Sequence, residues 1–150
     1  MSKTLEFFFD VGSPASYLAW TQLPALAAKH EAQLVYRPML LGAVFQATGN
    51  SSPATVPAKG AYSRQDFQRF AKRYGVTLNH NPYFPINTLM LMRGATAYLG
   101  TADFERYLQA VFTAMWVDEQ DMGQPKIVAD ALQKAGFDPA EVLQRVQDPA

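Results

Sequence analysis

A chain of 150 residues, 49% of them hydrophobic, is long enough to bury one packed core and is not compositionally disordered. Its 13 basic and 13 acidic side chains cancel and form no basic run, so it lacks the electrostatic footprint of a nucleic-acid binder. With no cysteine it cannot hold a disulfide framework, a thiolate metal site or a cysteine nucleophile.

The N-terminus has no basic stretch followed by an apolar core, and no apolar run approaches the ~20 residues of a membrane span. A soluble, cytoplasmic protein is the expectation. Thr4 to Asp10 (TLEFFFD) is a short aromatic and apolar run that ends in a Val-Gly-Ser-Pro turn. It predicts a strand buried on both faces. From Pro14 to Lys29, the residues Tyr17, Leu18, Trp20, Leu23, Leu26 and Ala27 recur at helical spacing. Ser13 before Pro14 gives a cap followed by a proline in the first helical position, and Pro24 is expected to kink the helix. Gln33 to Arg37 is a second strand, stopped by Pro38. Two strands joined by a helix are most simply parallel neighbours with a right-handed crossover.

After Leu40 the sequence reads as loop and helix. Asn50 to Gly60 is a Ser/Pro-rich loop, and Ser63 can cap a helix from about Arg64 to Tyr74. Asn79 to Pro85 is extended, with two prolines. Helices follow from about Asn87 to Tyr98, Ala102 to Val117 and Pro125 to Ala135, with Gly100 and Gly136 as stops. Asp138, Pro139 and Glu141 open a last helix with a capping box. Phe67, Phe70, Leu89, Leu91, Phe104, Leu108 and Phe112 are the expected core of this block. The α/β chain thus divides into a βαβ part, residues 1–40, and an all-helical insertion, residues 41–150. A two-stranded sheet is marginal and leaves edges unpaired, so further strands are expected. Either the sequence stops short of the natural terminus, the favoured reading, or another chain completes the sheet.

The densest chemical signal is the run from Phe9 to Tyr17, where a buried strand ends, the chain turns and a helix begins. A helix N-terminus presents unsatisfied N–H groups and partial positive charge, which stabilise an anion or a thiolate. Ser13 sits there; its plain alternative role is an N-cap. Asp10 reads as a strand-end hydrogen-bonding residue ahead of a general base. His30 and His80 have no metal-ligand spacing to any partner, so no metal site is expected.

The run FFFDVGSPASYLAW resembles the opening of the 2-hydroxychromene-2-carboxylate isomerases and kappa-class glutathione transferases, relatives of the disulfide oxidoreductase DsbA. The resemblance continues through Asn50 and Lys59, SRQDFQRFAKRYGV, the Phe84 to Thr88 segment and Val111 to Trp116. It implies a thioredoxin-like fold with a helical insertion, assembled as a homodimer. The redox relatives carry Cys-x-x-Cys where this sequence reads Ser13-Pro14-Ala15-Ser16, so dithiol chemistry is excluded. What remains is stabilisation of a thiolate brought by a ligand. By resemblance that ligand is glutathione, its sulfur held by the Ser13 hydroxyl, with Asn50 and Lys59 binding the peptide and a carboxylate. Tyr83 and Trp116 are the candidates for lining the pocket of a small aromatic substrate. The implied reaction is isomerisation of an aromatic keto acid by reversible thiolate addition and elimination. A kappa-class-like transferase and a non-catalytic thioredoxin-like binding module are the alternatives. The family continues into two more strands and a helix, with a Val-Pro-Thr turn facing the serine, and none of that follows Gln147.

Overall fold

The computed structural model describes residues 3–148. Contacts divide the chain into two compact units that part between Leu78 and Asn79.

The first unit opens with strand β1 (Lys3–Phe9), helix α1 (Pro14–Lys29) and strand β2 (Ala32–Pro38). β1 and β2 pair in parallel, with Phe7 opposite Tyr36 and Phe9 opposite Pro38, as the helical crossover predicts. Alternation of side chains across the pleat puts Phe7 and Phe9 on one face, where both are buried and stack at 5.3 Å, with the Tyr36 ring at 6.1 Å and 6.0 Å. The opposite face carries Glu6, paired with Arg37 across the sheet at 2.7 Å, and Phe8, which is 57% exposed. The expectation that β1 is buried on both faces is therefore corrected: only its odd-numbered side chains enter the core, because one face of this two-stranded sheet is covered. α1 has the predicted bounds and runs on through Pro24, burying Ser16, Tyr17, Leu18 and Ala27, while Leu26 stays exposed.

Beyond β2 the unit is more helical than expected. Helix α2 (Leu41–Thr48) was not foreseen, since its eight residues bury no side chain and their apolar pattern has no covered face to report. A single 3-10 turn (Pro53–Thr55) precedes helix α3 (Pro57–Tyr74). α3 starts seven residues before the predicted Arg64, because Pro57 occupies its first turn and fixes the helical φ there; Ser63 lies inside the helix and caps nothing. Two hydrogen bonds tie the end of the unit to its helices: Tyr17 Oη donates to the Thr77 carbonyl at 2.6 Å, and Gln68 Nε2 donates to the Leu78 carbonyl at 2.7 Å. With α1 packed on α3 as well, the compact unit extends well past residue 40.

The second unit holds helices α4 (Leu89–Tyr98), α5 (Phe104–Trp116), α6 (Pro125–Lys134) and α7 (Pro139–Gln147), close to their predicted bounds. Asp138 caps α7 as foreseen, accepting the Ala140 N–H at 2.9 Å, whereas Glu141 pairs with Arg145 at 3.1 Å instead of closing a capping box. α4 packs on α5 and α7, and α5 on α6. Leu91, Phe104, Leu108 and Phe112 are buried as expected; Leu89 is 37% exposed and, in the first unit, Phe70 likewise, with Phe67 half-buried. Phe70 and Leu89 fall on the solvent side of their helices, a matter of helix rotation that the apolar residue type alone does not report. The centre of the unit is a ring cluster, Tyr98, Tyr107 and Phe137, with centroids 5.2 to 6.1 Å apart and the Arg106 guanidinium 4.2 Å over Phe137. Fully buried Asn81 holds the entry segment, its Nδ2 donating to the Met115 and Gln120 carbonyls and its Oδ1 accepting the Tyr83 N–H. Among the described residues no helix is long and apolar enough to cross a membrane.

Candidate functional site at the first helix start

β1 delivers the chain to a tight turn in which the Ser13 N–H donates to the Asp10 carbonyl at 3.0 Å. Ser13 has extended backbone angles, φ −99° and ψ 121°, and is the N-cap of α1. Its Oγ accepts the Ser16 N–H at 3.2 Å, and its carbonyl accepts the first intrahelical bond, from the Tyr17 N–H, at 3.1 Å. The capping bond uses a lone pair of the hydroxyl and leaves its hydrogen unused; among the described residues that hydrogen has no acceptor. The capping role and a donor role are therefore compatible, although the sequence alone set them against each other.

The helix end adds a field of the right sign. Pro14 has no N–H, the first turn of α1 carries no acidic side chain, and Lys29 lies in the last turn. No acidic side chain of α1 itself offsets the partial positive charge of its N-terminus; the Asp10 carboxylate lies just before it in the turn, bonded to the Gly12 N–H. Ser13 itself is half-buried. Ser16, which stands in the second cysteine position of the redox motif, is buried, and its Oγ accepts the Asp10 N–H at 3.4 Å.

Asp10 is only 3% exposed. Its Oδ1 accepts the Gly12 N–H at 2.9 Å and its Oδ2 accepts the Leu41 N–H at 2.8 Å. The strand-end hydrogen-bonding role foreseen for it is therefore real for Gly12, but the second bond, across 31 positions of sequence, was invisible to local pattern.

Asn50 and Lys59 belong to the same unit as Ser13. Asn50 follows α2 directly. Gly49 ends that helix at φ 69°, with its N–H donating to the Gln46 carbonyl and the Asn50 N–H to the Phe45 carbonyl, the paired bonds of a Schellman stop. The Asn50 side chain is exposed; its Oδ1 accepts the Ser51 N–H at 2.8 Å, and its amide hydrogens have no acceptor among the described residues. Lys59, in the first turn of α3, is exposed and makes no ion pair among the described residues. The N-terminus of α1, the Ser13 hydroxyl, the Asn50 carboxamide and the Lys59 ammonium are each of a chemical type that suits a ligand with a thiolate and carboxylates.

Tyr83 and Trp116 lie in the second unit. Tyr83 is 53% exposed, whereas Trp116, in the last turn of α5, is 1% exposed with the Phe84 ring 5.9 Å from its own. His80 is exposed at the edge of the same segment, its ring 6.2 Å from that of Phe84. Among the described residues no three His, Cys, Asp or Glu side chains are grouped to hold a metal ion.

A parallel strand-helix-strand start, with Ser13 and Ser16 standing where the redox relatives carry cysteines, fits a thioredoxin-like α/β protein. The chain belongs to the DSBA-like thioredoxin domain family, which it matches over residues 4–150. It is 30% identical over 156 residues to a 2-hydroxychromene-2-carboxylate isomerase of Sphingobium xenophagum, spanning all of this chain and 77% of that protein. It is 25% identical over 167 residues to glutathione S-transferase kappa 1 of Homo sapiens, covering 99% of this chain and 70% of that one. Among solved structures it superposes on 2-hydroxychromene-2-carboxylate isomerase with a TM-score of 0.82 at 26% identity, covering 97% of this chain and 72% of the other.

Proposed function

We propose that this protein is a glutathione-dependent isomerase acting on aromatic keto acids of the 2-hydroxychromene-2-carboxylate type. The observation that carries the proposal is the Ser13 hydroxyl, which caps α1 through its oxygen while its hydrogen has no acceptor among the described residues. Glutathione, when bound, supplies a thiolate nucleophile. The chain's own residues do the rest. Ser13 donates a hydrogen bond to the sulfur, and the α1 N-terminus favours its negative charge, so the thiol ionises at a lower pH than it does in water. The Asn50 carboxamide bonds the peptide backbone of the ligand, and the Lys59 ammonium meets a carboxylate as a point charge. Exposed Tyr83 is assigned to the apolar side of the electrophile site, with buried Trp116 acting behind it through the Phe84 ring it packs on. A homodimer in the cytoplasm completes the proposal.

Isothermal calorimetry with glutathione on the full chain, followed by turnover with the aromatic keto acid, tests it. Saturable glutathione binding with isomerisation that leaves the glutathione concentration unchanged is the expected result. No binding favours a non-catalytic thioredoxin-like module instead. The second reading, a kappa-class-like glutathione transferase, is supported by the likeness to the human kappa enzyme. It predicts consumption of one glutathione per product, which separates the two in a single assay.

A further inference from the structure

We propose that Asp10 is a positioning residue that clamps the Ser13 turn to the start of α2, and through α2 sets the place of Asn50. The inference rests on the glutathione reading above.

A carboxylate at 3% exposure gives up nearly all of its hydration, which is unfavourable unless charge-assisted hydrogen bonds replace it. A strand-end aspartate can satisfy one oxygen locally, and Asp10 does so through Gly12, in the turn that carries Ser13. The other oxygen reaches a different part of the fold. Leu41 is the first residue of α2, and the residue in the N-cap position, Leu40, has no side chain able to accept a helix N–H. Asp10 Oδ2 takes that role from outside the helix, accepting the Leu41 N–H at 2.8 Å. The Asp10 N–H, meanwhile, donates to Ser16 Oγ inside the first turn of α1, and the Met39 N–H donates to the Phe9 carbonyl beside it. One side chain and its own peptide thus touch the strand end, the serine turn, the first turn of α1 and the start of α2. The far end of α2 is fixed by the stop at Gly49, directly before Asn50. The hydroxyl assigned to the sulfur and the carboxamide assigned to the peptide are linked through eight helical residues and this one carboxylate.

Two substitutions separate the halves of the clamp. Asp10→Asn keeps the size and removes the charge and one acceptor. Leu41→Pro keeps Asp10 and deletes the N–H that Oδ2 accepts, with Leu41→Ala as the control for the lost side chain; proline suits the first position of a helix, and Leu40 already has the extended angles required before proline. Amide hydrogen exchange is read first, without ligand. In Asp10→Asn, exchange at Gly12 and Leu41 speeds up while the interior amides of α1 keep their protection. Glutathione and S-methylglutathione are then titrated, the first followed by the ultraviolet thiolate band. In Asp10→Asn the loss of the carboxylate's charge favours a nearby thiolate while release of the serine turn disfavours it, so the clamp is read from the dissociation constant of S-methylglutathione, which rises roughly tenfold. In Leu41→Pro the dissociation constant of S-methylglutathione, which has no thiol to ionise, rises about fivefold. Normal affinity for S-methylglutathione in both variants, beside a wild type that shows the band, overturns the Asp10 proposal and leaves the glutathione reading standing. A wild type with no thiolate band sinks the glutathione reading, and the proposal falls with it.

Discussion

Ser13 Oγ and the Ser16 N–H are 3.2 Å apart, so the residue at the first redox-cysteine position is tied to the residue at the second by a capping hydrogen bond. A disulfide there would close the same four-residue ring covalently. Here the ring is held by one neutral hydrogen bond, and the hydroxyl stays a donor whatever the redox conditions.

Ser13→Ala removes both roles at once. Loss of the cap lowers stability by about 1 kcal/mol, read as a shift of the urea midpoint with the slope unchanged. The thiolate band of bound glutathione at pH 7 is expected to disappear. A variant that keeps its band and its turnover would remove Ser13 from the mechanism.

Ser13→Cys tests the helix field without any ligand. The chain has no other cysteine, so alkylation reports a single thiol. With the N-terminus of α1 behind it and no acid in the first turn, that thiol is expected to titrate below the ordinary value of about 8.5. An alkylation rate with an ordinary pH profile would mean that the helix end does not stabilise a sulfur anion.

The element order was legible because its signals are local. Ser13-Pro14 and Asp138-Pro139 announce helix starts, and Tyr17, Leu18 and Ala27 recur with the period of a buried face. α2 was not legible, because its N–H cap comes from Asp10, far away in sequence, and its side chains bury nothing. The faces of β1 were misjudged for a related reason: a run of three phenylalanines reads the same whether one or both sides of the sheet are covered, and Phe8 turned out on the bare side. At the candidate site, the sequence pointed to Ser13 through its place in the turn and the family resemblance. It undervalued Asp10, whose second bond depends on how β2 returns beside β1.

Alkaline pH probes the second unit. Burial, with a smaller contribution from Tyr98, pushes the Tyr107 hydroxyl well above the ordinary tyrosine range, and Oη donates to the Leu91 carbonyl at 2.8 Å. Its folded pKa lies above the unfolded value of 10.0, so the folded state holds this proton where the unfolded chain releases it. The contribution is complete below pH 10 and declines as pH rises beyond it. Tyr107→Phe is expected to be less stable by about 1 kcal/mol at pH 7, from the lost hydrogen bond, and to show a shallower fall above pH 10. Chemical denaturation at pH 7 and at stepped alkaline values checks both.

Gly94→Ala tests the same contact from the other side. A Cβ at this position would overlap the hydroxyl and ring of Tyr107, which is itself 1% exposed and hemmed in by Tyr98 and Phe137. Overpacking of this kind is expected to lower stability by about 3 kcal/mol, measured by the denaturation midpoint. A loss below about 1 kcal/mol would mean that the ring cluster yields more readily than its packing indicates.

On the binding role proposed for Asn50, the glycine stop of α2 bears on how tightly glutathione is held. Because Gly49 turns the chain at φ 69° and the Asn50 N–H is already bonded to Phe45, the carboxamide is presented on an ordered backbone. The freedom that a loose loop would surrender on association has been given up during folding, so little entropy remains to oppose the encounter. Replacing Gly49 with a residue that resists the left-handed conformation would return that penalty to the binding step and loosen the hold, even though no group touching the ligand had changed.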